Sequence, residues 1–161
     1  MRAAFIVLIC VLIGRSCDSG VEPAVPQGEI NTTFSLADTL GSPRTMFHIS
    51  DRFDFKFSIT NLTPKAQTFH ITGPMVIFEI RQGDSTLATS VDGLAWIMVY
   101  MTGSIPSGGS ESQAWRGPKP PGGDPAFGLT PGHYTARARL RYEFGDVRIS
   151  PTPDIPFVIL P

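Results

Sequence analysis

Residues 52–60 place an apolar side chain at every second position: Phe53, Phe55, Phe57 and Ile59 fall on one side, and Asp54, Lys56, Ser58 and Thr60 on the other. A period of two belongs to extended backbone, where successive side chains leave by opposite faces, whereas a helix would scatter the three phenylalanines around its axis. A strand with one greasy face is stable only when a second layer covers that face. This stretch therefore predicts a sheet with Phe53, Phe55 and Phe57 hidden together beneath another layer.

The same period recurs along the chain. Residues 32–40 carry Phe34, Leu36 and Leu40; residues 68–72 carry Phe69 and Ile71; and residues 75–81 carry Val76, Phe78 and Ile80. Gln82-Gly83-Asp84-Ser85 predicts a hairpin turn into residues 86–91. Residues 94–101, with Trp96, Met98, Tyr100 and Met101, are apolar on both parities, which predicts a strand covered on both faces or one at an interface. Residues 132–142 alternate Tyr134, Ala136, Ala138, Leu140 and Tyr142 against Arg137, Arg139 and Arg141, so the arginines mark a solvated face. Ile155, Phe157 and Ile159 alternate near the C-terminus, and Pro151, Pro153 and Pro156, lacking an N–H, predict an edge strand there. Gly and Pro, 16 and 15 residues, are frequent enough to disfavour long helices. In Leu129-Thr130-Pro131-Gly132-His133-Tyr134-Thr135, a Pro-Gly turn feeds a Tyr at a strand start, the pattern of the tyrosine corner. The fold class is an all-β, immunoglobulin-like antiparallel β-sandwich over residues 31–161.

Residues 1–16 read as a signal peptide. Arg2 supplies the positive start, residues 3–13 form an apolar run too short to span a bilayer, and Gly14 and Ser16 are small residues at alternate positions. Cys17 then becomes the first mature residue and a candidate lipid-attachment site, with residues 17–30 as a polar, proline-bearing tether. The expected location is exported, either as a cell-envelope lipoprotein or secreted, with any membrane contact made through that anchor. Cys10 leaves with the leader, so no internal disulfide is expected and the core alone must hold the domain. Losing Arg2 and Arg15 from 13 basic residues leaves 11 against 14 acidic ones, a net charge of −3 with no basic field for nucleic acid.

The motifs of catalysis are missing from the sequence. There is no Gly-x-Ser-x-Gly elbow and no phosphate-binding glycine loop. His48, His70 and His133 have no second His or Cys at ligand spacing, so no metal and no cofactor is expected. Asp51 and Asp54 point to opposite faces of one strand, and Asp84, Asp92 and Asp124 sit in turns, where Asp serves the backbone. Asn31-Thr32-Thr33 and Asn61-Leu62-Thr63 are glycosylation acceptors only in a eukaryotic secretory pathway. The chain is expected not to be an enzyme.

The binding candidate is the long irregular stretch of residues 104–128, which contains a short polar strand at residues 110–115. Pro118, Pro120 and Pro121 stiffen it, and Trp115 and Arg116 are of types enriched where proteins dock. For Trp115 the competing expectation is burial in the core, with Arg116 capping the strand end, and burial is also the expectation for Trp96, Met98, Tyr100 and Met101.

Residues 53–142 resemble the BsuPI family of proteinase inhibitors. The matching segments are Phe57-Ser58-Ile59-Thr60-Asn61-Leu62-Thr63, Val76-Ile77-Phe78-Glu79-Ile80, Trp96, Ile105-Pro106-Ser107-Gly108-Gly109-Ser110 with Trp115, and Pro131-Gly132-His133-Tyr134-Thr135-Ala136. The resemblance implies a small immunoglobulin-like sandwich and a protein partner, a protease among the classes implied. The expected function is an exported, lipid-anchored protein-binding module; the alternative is a structural or accessory envelope lipoprotein without inhibitory activity.

Overall fold

In chain order the strands are β1 (Ile30–Asp38), β2 (Met46–His48), β3 (Phe53–Asn61), β4 (Gln67–Thr72), β5 (Val76–Gln82), β6 (Ser85–Thr89), β7 (Tyr100–Ile105), β8 (Ser110–Gly117), β9 (Gly132–Leu140), β10 (Glu143–Phe144) and β11 (Ile155–Leu160). They come from a computed structural model that describes residues 29–95, 99–117 and 128–161, and no helix occurs among those residues. The signal peptide, Cys17 and most of the tether lie outside the described residues, as do Trp96, Met98, Pro118, Pro120 and Pro121.

The alternation in β3 does what its period requires. Phe53, Phe55, Phe57 and Ile59 are 1%, 0%, 3% and 1% exposed. β3 is the middle strand of a three-stranded sheet, antiparallel to β1 on one side and to β8 on the other. Its greasy face meets a five-stranded sheet in the order β2-β11-β9-β5-β6. The Phe55 ring lies 5.8 Å from Phe78 of β5 and 4.8 Å from Trp115 of β8, and Phe53 lies 5.5 Å from Phe157 of β11. The protein is thus an all-β sandwich, held by aromatic side chains interleaved between layers.

A third sheet, β10-β4-β7, closes one end. β4 follows β3 after a short turn, and β10 follows β9, so both parent strands bend out of their layers to build it. Its inner face is an aromatic triad: Phe69 meets Tyr142 edge-on at 4.4 Å and Phe144 at 5.8 Å. Opposite the Phe69 ring stands Gly103 of β7; a Cβ there would lie 2.3 Å from the ring, so only glycine fits.

Two local expectations hold in detail. The β5–β6 hairpin turns at Gly83, whose φ of +56° is the left-handed value a two-residue hairpin needs at its first central position. Tyr134 is buried, and its hydroxyl donates to the Thr130 carbonyl at 2.7 Å, tying the loop to β9 as a tyrosine corner does.

Others fail for identifiable reasons. β11 is not an edge: it lies between β9 and β2, which runs parallel to it. Pro156 is tolerated because pairing with β2 begins only at Val158, whose N–H donates to Thr45; the Pro156 nitrogen, two residues earlier, faces the same side beyond the end of β2. Leu40 is not core but 92% exposed, in the turn after β1 where Asp38 accepts from the Leu40 and Ser42 N–H groups. The expected strand of residues 94–101 begins instead at Tyr100 and runs into the stretch expected to be irregular, ending at Ile105. β9 stops at Leu140, and Tyr142 reaches the core from beyond its end.

Candidate functional site

An open sheet ends in strands whose outer N–H and C=O groups lack partners, and proteins cover, shorten, charge or kink such edges to prevent unwanted pairing. The described sheets end in β1, β8, β10, β7, β2 and β6. At β1, Ile30 exchanges backbone bonds with Arg148 and Ser150, the Thr32 N–H donates to the Ser150 hydroxyl at 2.7 Å, and Leu36 and Asp38 bond Arg44 and Ser42. At β8, the Gln113 side chain accepts from the Val76 N–H and donates to the Val76 carbonyl, while Glu111 accepts from the Tyr142 hydroxyl, so this edge is stitched to the opposite layer. β2 and β10 span three and two residues. β6 is short, and its pairing with β5 breaks register between Ile80 and Arg81.

β7 has none of these protections. Tyr100-Met101-Thr102-Gly103-Ser104-Ile105 contains no charge and no proline. It pairs with β4 in unbroken register from Ile105↔Gln67 to Tyr100↔Thr72, and among the described residues no strand pairs with its other side. Its N-terminal end is also greasy and wet: Val99, Tyr100 and Met101 are 51%, 63% and 48% exposed. The Tyr100 ring is held in place by His70 of β4, stacked at 5.3 Å and 18°, and His70 Nδ1 is within hydrogen-bonding reach of the Thr102 hydroxyl at 3.1 Å. Burial, the expectation for Tyr100 and Met101, is therefore overturned. The signal is in the sequence: residues 94–101 are apolar on both parities.

The binding candidates expected from sequence disperse. Trp115 lies in the core, 6% exposed between Phe55 and Phe78, and its indole N–H has no partner among the described residues. Arg116 points outward and grips Asp54 through two hydrogen bonds of 2.7 and 3.0 Å. That guanidinium holds the Asp54 carboxyl below the usual carboxylate range, against the opposing pull of burial. The pair ties β8 to β3 across the register Asp54↔Arg116. Arg137 and Arg139 likewise reach Asp154 and Glu79 on the outer face of β9.

One cleft, about 400 Å³, lies on the outer face of β1-β3-β8 among Thr33, Ser35, Lys56, Ser58 and Ser112. No His or carboxylate lines it, and the Ser58 and Thr33 hydroxyls are paired at 2.8 Å. Among the described residues no three His, Cys, Asp or Glu side chains converge as metal ligands. Burial and the adjacent Glu111 carboxylate raise the Tyr142 hydroxyl far above its ordinary range, so it serves as a donor and not as a base. Comparison with protein-family models and with curated proteins finds no match for this chain.

Proposed function

We propose that this chain is an exported protein-binding module that offers the outer edge of β7 to another polypeptide. The leader of residues 1–16 delivers it, and lipid on Cys17 holds it at a membrane surface. The observation that carries the reading is the contrast between edges: each of the other edge strands is stitched, shortened or kinked, whereas β7 is neutral, regular and flanked by exposed Val99, Tyr100 and Met101. Such an edge adds a strand from a partner, with backbone hydrogen bonds giving affinity and the flanking side chains giving selectivity. Protease inhibition, which the family resemblance implies, gains no support from β7.

A photo-crosslinking residue in place of Tyr100, expressed in cells that make the protein, is expected to give a covalent protein adduct. The same residue in place of Ser58, on the hydroxyl-lined face, is expected to give none. Equal labelling from both positions, or none from either, contradicts the reading.

A further inference from the structure

We infer that the seam beside β1 takes the free C-terminus of an extended polypeptide, laid parallel to β1 with its carboxylate at Arg44. The support for this is independent of β7. Along β1 the backbone groups of Ile30, Thr32, Leu36 and Asp38 point away from β3. Ile30 bonds Arg148 and Ser150, and the Thr32 N–H donates to the Ser150 hydroxyl. The Leu36 carbonyl accepts from the Arg44 N–H, and the Asp38 N–H donates to the Ser42 carbonyl. By the alternation of an antiparallel ladder, Phe34 presents its N–H and C=O the same way. Among the described residues nothing bonds the Thr32 carbonyl, either of those Phe34 groups or the Leu36 N–H. The edge is thus stitched at both ends and open over one short stretch. Leu36 is only 2% exposed, and a backbone N–H so deep is rarely left without a partner.

The open stretch is short enough to name its occupant. A parallel strand meets those four groups with three residues: the first donates to the Thr32 carbonyl and accepts from the Phe34 N–H, and the third donates to the Phe34 carbonyl and accepts from the Leu36 N–H. An antiparallel strand needs five residues and would run over Ser150 and Arg44. Parallel is also the direction that the chain at Ile149 already takes beside Ile30. A guest that reaches the Leu36 N–H must stop or leave the edge, because Arg44 holds the next acceptor, the Leu36 carbonyl. Charge decides for stopping. A cleft of about 260 Å³ opens there, lined by Phe34, Leu36, Pro43, Arg44, Thr45 and Ile155, and Arg44 is its one charged lining residue. Arg44 is exposed and forms no ion pair among the described residues; its guanidinium rests over the Phe47 ring at 5.6 Å. A terminal carboxylate accepting from the Leu36 N–H gives that cation its counter-charge. The middle guest residue pairs with Phe34 and shares its face, which sets an apolar side chain against Phe34 and Ile155.

Fluorescence anisotropy of the full chain with an N-terminally labelled probe, Ser-Gly-Ser-Val-Leu-Val, tests this. The free acid is expected to bind, and the same peptide with a C-terminal amide to bind at least about tenfold more weakly. Arg44→Gln, a change at an exposed side chain, is expected to weaken the acid by at least about tenfold and to leave the amide unchanged. A peptide with Ser in place of the penultimate Leu is expected to bind more weakly than either change alone would explain by charge, since its charge is intact. In the amide spectrum of the protein, Phe34 and Leu36 are expected to shift on adding the free acid. No binding of the free acid up to millimolar peptide overturns the inference. So do equal affinities for acid and amide, indifference to Arg44→Gln, or shifts along β7 in place of Phe34 and Leu36. The crosslink from Tyr100 tests β7 separately, so failure here leaves the proposed function standing.

Discussion

Asn61→Ala is expected to lower the unfolding free energy by about 3–5 kcal/mol, read as a fall in urea midpoint at unchanged slope. Asn61 ends β3 and is fully buried, an unusual place for an amide. Its Nδ2 donates to the Lys65 carbonyl at 2.8 Å and the Ile105 carbonyl at 2.9 Å; its Oδ1 accepts from the Thr63 N–H at 2.9 Å and the Thr63 hydroxyl at 2.7 Å. Its own backbone bonds Gly108 and Gly109. One side chain thus fixes the turn from β3 into β4 and pins it to the loop joining β7 and β8. Alanine removes every side-chain bond and leaves the Ile105 carbonyl desolvated with no donor, and a buried group in that state costs about 1–3 kcal/mol beyond the lost bonds. Asn61→Asp keeps the shape but cannot donate, so it is expected to lose at least as much. Asn61 of the Asn61-Leu62-Thr63 sequon is inaccessible in the folded chain.

Phe55→Ala is expected to cost a further comparable amount, about 3–5 kcal/mol, through lost transfer energy and the cavity left behind. The Phe55 ring has neighbours on both layers, Phe34 at 6.2 Å, Phe53 at 5.5 Å, Phe78 at 5.8 Å and Trp115 at 4.8 Å. Aromatic rings of that size cannot collapse into the space of one missing phenyl without leaving rotamer minima, so the void persists. Phe34, only partly buried on the edge strand β1, is the internal control: its alanine variant is expected to lose distinctly less in the same urea titration.

The features legible in the sequence were those set by local physics. The β3 alternation fixed a face, Gly83 fixed a hairpin, and Pro131-Gly132 ahead of Tyr134 fixed a corner; each needs only a few adjacent residues. What sequence could not show depends on distant chain. β2 is three residues long and exists because β11 supplies it a parallel partner. Pro156 looked like an edge marker, yet it escapes the rule by lying beyond the end of that partner. Asn61 reads as an ordinary turn residue until Ile105, far along the chain, arrives at its amide. The site is half legible: residues 94–101 stand out as apolar on both parities, but only the third sheet, formed by β10, β4 and β7, decides that β7 is an edge and Tyr100 is wet. Trp115 shows the converse, since an aromatic typical of docking surfaces is equally typical of a core, and its register opposite Phe55 settles the matter.

The central claim is that β3 is paired on both sides while β7 is paired on one. Amide hydrogen exchange, followed residue by residue at several protein concentrations, tests it most directly. In dilute solution Phe55, Phe57 and Ile59 are expected to exchange only through global unfolding, while along β7 alternate amides exchange fast and the others slowly. Uniform protection of β7 at every dilution, or β3 amides exchanging as quickly as those of β7, would contradict the account.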